Sequence, residues 1–286
     1  MTMQAKEMVK GIAKLASLPE VCVRVNEMVD DPRSSAADIG KVISRDTALT
    51  AQLLRMANSA FYNFPSKVST ISRAVTVVGE RELRYLVLAL SAVRTFSEIP
   101  VELINMASFW RHAVYCGVVA RLVASHCHVL HAERLFVAGL LHDLGMLVMM
   151  NRAPEQEKIA LEQVEDGTKT LHQAELDQFG FDHAEVGSVL LEQWKIPAAL
   201  CETVACHHDI SKAEEARLDA AIVHIANVIA ARAELSDEDE GPVPEVDPKA
   251  WEVTGLNEEA LTEIADEAAP MFAESWAMIQ PIVRHA

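Results

Sequence analysis

The chain has 286 residues, 50% of them apolar and only 5% aromatic, so it can bury a sizeable aliphatic core as one large domain or two modest ones. Its formal net charge of −17 repels nucleic acid and anionic membranes at long range, and its five cysteines (Cys22, Cys116, Cys127, Cys201, Cys206) form an odd set without framework spacing, as expected of reduced thiols in a cytoplasmic protein. No apolar run reaches transmembrane length without charge, the N-terminus has no secretory core, and no alternating run with a hairpin turn stands out, so the composition reads as all-α.

Met8, Ile12 and Leu15 share one face of a short helix expected over Ala5 to Leu15. Pro19 suits the first turn of the next helix, which carries Val21, Val25 and Met28 and stops at Asp30-Asp31-Pro32. Ser35, with Asp38 after it, signals an N-cap for Ile39, Val42 and Ile43. Asp46 can cap a helix through Leu49, Leu53 and Met56. The three rings of Phe61-Tyr62-Asn63-Phe64-Pro65 read as a loop pinned to the core. Ser69 or Thr70 caps a helix through Val78, and Gly79 stands where a left-handed C-cap is expected. Glu80 opens a long apolar helix through Leu83, Leu86, Val87, Leu90 and Val93. With Arg73, Arg81 and Arg84 this helix–Gly–helix could imitate a DNA reader, but its apolar second helix reads better as an αα-hairpin within a bundle.

Five segments of this half carry a resemblance. They are Leu18-Pro19-Glu20, Asp30-Asp31-Pro32, Ser44-Arg45-Asp46, the run from Leu53 to Tyr62, and Ile71 to Gly79. In order and spacing they resemble the HDOD family, the HD-related output domains of bacterial signalling proteins. The resemblance implies an all-α, two-lobed helical fold, with residues 1–99 as an N-terminal lobe and 100–286 as an HD-like helical bundle.

In the second half, Phe109, Ala113, Cys116, Ala120 and Val123 mark the buried face of a helix from Met106 to about Ser125, and His112 lies beside that face. A helix is expected over Glu133 to Met149, with His142 and Asp143 at its apolar middle. Pro154 breaks the chain, and a helix follows through Ile159, Leu161 and Val164. Thr170 caps another, closed by Gly180. Asp182-His183-Ala184-Glu185 has the form of a capping box, which places His183 in a first helical turn. Ile196-Pro197 starts a helix that ends at His207-His208-Asp209. Leu218 to Leu235 forms a long helix with His224 and Asn227 along its flank. His126-Cys127-His128 with His131 reads as a surface loop, since one cysteine without a paired C-x-x-C is a weak zinc signal. Glu234 to Asp247 is acidic with two prolines and reads as a solvated loop. The remaining apolar residues, Trp251 to Ile279, read as helices that pack back on the core.

A buried carboxylate such as Asp143 needs a partner or a metal. His112, His142-Asp143, His183 and His207-His208 occur in the order in which HD-superfamily metal phosphohydrolases present their ligands. That resemblance implies a divalent metal such as Fe, Mn or Zn, which in those enzymes activates water against a phosphate ester. The enzymes close the site with an aspartate in a context like V-H-x-A-D, whereas this chain reads Val223-His224-Ile225-Ala226-Asn227. An amide binds a divalent ion less well than a carboxylate and cannot serve as a general base. No G-Y-P loop follows His208, so the resemblance to the cyclic-di-GMP phosphodiesterase branch stops there. The expectation is therefore a non-catalytic signal-transduction module that binds a partner signalling protein or a small ligand. It carries a degenerate hydrolase site and acts by association or as a piece of a longer protein. The rival is a metal-dependent HD-type phosphohydrolase acting on a nucleotide or phosphate ester.

Overall fold

The computed structural model describes residues 4–12, 17–59, 62, 64–99, 101–165, 167, 169–235 and 244–283. Among these residues the chain forms sixteen α-helices and one 3-10 turn, with no strand, as an all-α composition requires. No helix of the described residues is long and apolar enough to cross a membrane.

The first six helices follow the sequence signals closely. They are α1 (Ala5–Ile12), α2 (Glu20–Val29), α3 (Ala36–Ile43), α4 (Thr47–Ala57), α5 (Ile71–Val78) and α6 (Glu80–Ser97). Leu15, the expected end of the first helix, lies outside the described residues. Pro19 sits one residue earlier than expected, as the N-cap of α2. Side-chain caps satisfy amides that have no partner within the helix. The Asp38 amide donates to Ser35 Oγ at 3.2 Å, the Leu49 amide to Asp46 Oδ1 at 2.9 Å, and the Arg73 amide to Thr70 Oγ1 at 3.2 Å. Gly79 does not adopt the left-handed helical cap. At φ 104° and ψ 149° it ends α5 and starts α6 in one residue, a conformation closed to ordinary side chains. Leu83, Leu86, Val87, Leu90 and Val93 are all buried, so α6 packs as a bundle helix. In the aromatic loop, Tyr62 and Phe64 stack at 5.6 Å and pack against the core, while Phe61 and Asn63 lie outside the described residues.

The second half comprises α7 (Met106–His126), α8 (Glu133–Leu141), α9 (Leu144–Arg152), α10 (Pro154–Glu165), α11 (Leu171–Phe179), α12 (His183–Gln193), α13 (Ala198–Cys206), α14 (Arg217–Glu234), α15 (Pro248–Thr254) and α16 (Glu258–Val283), with the 3-10 turn at Ile210–Lys212. One expectation fails here: Glu133 to Met149 is not a continuous helix. It breaks at His142-Asp143, where Asp143 has φ −100° and ψ 8°. Neighbouring side chains on a regular helix diverge by about 100°. The break lets both turn toward the same point. Of the acidic stretch, residues 236–243 lie outside the described set.

Glycine contacts bring the helices of the site unusually close. A Cβ on Gly139 would lie 2.8 Å from the Cys116 carbonyl oxygen, and one on Gly117 2.7 Å from that of Phe136. The backbones of α7 and α8 therefore touch. A Cβ on Gly145 would lie 1.9 Å from the His183 carbonyl oxygen, so α9 and α12 are locked in the same way. The long α16 packs against α7, α6 and α4, and α1 packs against α9 and α12, which ties distant parts of the chain to one core.

Candidate metal centre

Helix ends and turns deliver the side chains. His142 and Asp143 come from the α8–α9 break, His183 from the first turn of α12, and His207-His208 from the end of α13. The Asp182 side chain caps α12, accepting the Glu185 amide at 2.9 Å, and so sets the angle at which His183 enters.

Three imidazoles have their tautomer fixed. His142 Nδ1 donates to the Gly139 carbonyl at 2.7 Å, His207 Nδ1 to the Val204 carbonyl at 2.7 Å, and His183 Nδ1 to Glu175 Oε2 at 2.6 Å. Carbonyl and carboxylate oxygens only accept, so each Nδ1 carries a hydrogen and Nε2 is the nitrogen left to face the cluster. All three Nε2 atoms face Asp143, at 3.0 Å for His142, 3.3 Å for His183 and 3.7 Å for His207. The His142 approach is misaligned for a hydrogen bond. His142 Nε2, His207 Nε2 and Asp143 Oδ1 are all buried without a hydrogen-bond partner. Buried polar atoms left unpaired are costly, and here they converge. Ligands about 2.1 Å from an ion and at right angles stand about 3 Å apart, so this spacing suits co-ligands. His208 joins from the other side, its Nε2 2.8 Å from His183 Nε2, with its ring stacked on His172. Ligand atoms of Asp143, His183, His207 and His208 lie within 4.8 Å of one another, and so do those of His112, His142 and Asp143. Asp143 belongs to both groups, and the cluster could hold a metal ion.

Proton affinities follow from this crowding. Burial opposes charge on His142 and His183, but Asp143 beside the first and Glu175 with Asp143 beside the second outweigh it, holding both well above the ordinary imidazole range. Burial and the neighbouring rings push His207 and His208 well below it.

Asn227 changes the His112 side. Its Oδ1 lies 3.1 Å from His112 Nε2, while His112 Nδ1 faces Glu234 Oε1 at 3.2 Å and Asp143 Oδ2 stands 3.9 Å from Nε2. Either orientation of the amide occupies Nε2. An oxygen takes its hydrogen, and an NH2 takes its lone pair. His224 faces elsewhere: its Nδ1 donates to the His207 carbonyl at 2.9 Å and its Nε2 accepts the Asp247 amide at 3.0 Å, bracing the backbone behind His207. The His126-to-His131 residues do not converge. His126 faces Glu267, Cys127 the Thr254 carbonyl and His131 Glu82, as a surface loop would have it.

Sequence reasoning missed two acids behind the cluster. Glu175 accepts both the Nδ1 and the backbone amide of His183. Glu157 is fully buried with neither oxygen hydrogen-bonded, and burial, then the charge of Glu175, pushes it up to about 8. Both stand in the buried stripe of an amphipathic helix, near Ala160 and Ala174, which is the signal that could have found them. The folded chain therefore keeps a proton on Glu157 that the unfolded chain loses from about pH 4.5 upward. The stability this proton contributes is complete below that pH and lost as pH rises through about 8. Glu157→Gln is expected to match the parent near pH 5 and exceed it by about 3 kcal/mol at about pH 8.5. Urea unfolding at the two pH values checks this.

A helical bundle that turns ordered histidines and one shared aspartate toward a common buried point defines an HD-type domain. The chain belongs to the HDOD family, whose HDOD domain matches residues 15–210. Its fold is similar to that of an HDOD domain protein of unknown function from Geobacter sulfurreducens, at 25% identity and a TM-score of 0.75, covering 97% of this chain and 96% of the other. It is also similar to a Shewanella amazonensis protein described as a candidate phosphohydrolase, at 25% identity and a TM-score of 0.73, covering 96% and 97% of the two chains. An uncharacterized Treponema pallidum protein is 29% identical over 218 residues, which are 75% of this chain and 41% of that protein. The chain thus spans less than half the length of that relative.

Proposed function

We propose that this chain is a regulatory signalling module that keeps one divalent-metal position of an HD-type site and does not turn over phosphate esters. In this reading residues 1–99 and 100–286 are its two lobes. His142, Asp143, His183, His207 and His208 hold the cation, of the Fe, Mn or Zn type, and His112 no longer contributes. When bound, the metal supplies Lewis acidity. The chain's own contribution is to bury the ligands, aim them and fix which ring nitrogen faces the cation. The observation that carries the reading is the Asn227 contact with His112 Nε2, which occupies the nitrogen a second ion would need.

Elemental analysis of protein loaded with Mn, Fe or Zn, followed by phosphate or nucleotide release, tests it. About one ion per chain with no release is expected. Robust release lost in both His142→Ala and Asp143→Ala establishes the hydrolase instead. The hydrolase reading draws support from the intact His142, Asp143, His183 and His207 set and from the description of the Shewanella protein. Asn227→Asp returns a carboxylate beside His112 and is expected to raise the metal content from about one ion to about two per chain. An unchanged stoichiometry removes Asn227 as the limiting residue.

A further inference from the structure

The two halves of the chain are charged unequally. Residues 1–99 hold 13 Lys and Arg against 10 Asp and Glu, and residues 100–286 hold 12 against 32. The contrast sharpens between residues 47 and 78, from the start of α4 to the end of α5, where the charged residues are Arg55, Lys67 and Arg73 and no acid occurs.

These three cations form one exposed patch. Asn58, one turn after Arg55, exchanges hydrogen bonds with the Val68 backbone at 2.7 and 2.8 Å, which holds Lys67 beside the end of α4. Arg73 donates to Ser66 Oγ at 2.8 Å and closes the patch on the other side of Lys67. The ion pairs of this half use Arg24, Arg33, Lys41, Arg84 and Arg94, and leave the patch without a carboxylate among the described residues.

Helix α16 is the opposite case. Its 26 residues include six acids and no Lys or Arg. Glu258 pairs with Arg232 and Glu267 with His126. Glu259, Glu263 and Asp266 are exposed, share one face at i, i+4 and i+7, and have no ion pair among the described residues. Exposed Ala273 and Ala277 continue that face, as exposed Ala48 and Ala51 lead along α4 to Arg55, so no bulky side chain holds two such helices apart.

We propose that the acid-free face of α4 and α5 docks a second copy of this chain, whose α16 supplies the carboxylates. One chain carries both complementary faces, each without a partner, and one contact between copies satisfies both. Since α16 packs against α4, the faces belong to neighbouring helices, and a twofold axis lets each copy give its basic face to the other's acidic stripe. The charge of −17 per chain opposes approach at long range. At about 0.1 M salt the Debye length falls to about 10 Å, which screens that repulsion and spares the close pairs. The proposal is independent of the metal reading.

Sedimentation velocity of the full chain tests it. A monomer–dimer equilibrium with a Kd of about 100 µM or tighter is expected at about 0.1 M NaCl, weakened about 10-fold or more at about 0.5 M. Arg55→Glu with Lys67→Glu, and separately Glu259→Lys with Glu263→Lys, are each expected to abolish the dimer, because like charges then meet in both contacts. All four positions are exposed, so both double variants fold. Mixing the two variants restores opposite charges in both contacts, and a heterodimer of about the parent's affinity is expected. A parent that stays monomeric at every salt concentration overturns the proposal. So does a dimer that survives either double variant, or a mixture that forms no heterodimer. Duplex DNA bound by a monomeric parent and lost with Arg55→Glu and Lys67→Glu would give the face to a different polyanion and also overturns it.

Discussion

Asp143→Asn is expected to lower the affinity for a divalent metal about 100-fold or more while the chain stays folded. Asp143 is the one carboxylate shared by both candidate ligand groups. The amide keeps the size of the side chain but removes the charge that offsets a divalent cation among imidazoles. Competition against a chromophoric chelator measures the loss, with His142→Ala as a parallel variant. The parent's affinity is also expected to climb as pH rises through and above the ordinary imidazole range. His142 and His183 are held above the ordinary imidazole range, so they carry protons that a cation must displace, and fewer such protons remain as pH rises. Their hold on those protons comes partly from Asp143, so the climb should shift to lower pH in Asp143→Asn. Tight binding retained in both variants would mean that the cluster is a hydrogen-bonded brace and the metal lies elsewhere.

What was legible in the chain depended on how local its cause is. Ser35, Asp46, Thr70 and Asp182 announced helix starts because a cap is a contact within four residues. The break at His142-Asp143 was invisible. Phe136 to Met150 is apolar on both sides of the pair, with no proline to mark an interruption. The helix that starts at the break, α9, packs backbone to backbone on α12, far along the chain. Site membership was legible only as an order of residues matched to a family. Nothing in the spacing says that His207 and His208 reach Asp143 while His224 turns to Asp247. Asn227 is the opposite case, since the missing carboxylate could be read directly and the structure adds what the amide does to His112. The buried acids were missed for a different reason. A single Glu in a helix is almost always solvated. Glu175 escapes that rule by holding His183, and Glu157 by keeping its proton.

Gly145→Ala should be the most damaging Gly→Ala change among the described residues, costing about 3 kcal/mol of stability or more. Its new Cβ would meet the His183 carbonyl oxygen at 1.9 Å and the Gly187 amide nitrogen at 2.7 Å. Both atoms are backbone, so no rotamer change relieves the clash, and α9 must move off α12. That motion bears directly on the site. Asp143 precedes α9 and His183 begins α12, so their 3.3 Å approach opens with the helices. Metal affinity should therefore fall together with stability. Gly187→Ala provides the comparison, because its Cβ would meet chiefly the Val204 Cγ1 at 3.2 Å, a side-chain atom that can give way. It should cost about 1 kcal/mol. Urea unfolding of the two variants, with chelator competition on the same samples, separates a local steric effect from a general intolerance of the core. If Gly145→Ala unfolds at the parent's midpoint and binds metal as the parent does, the glycine contact does not set the distance between Asp143 and His183.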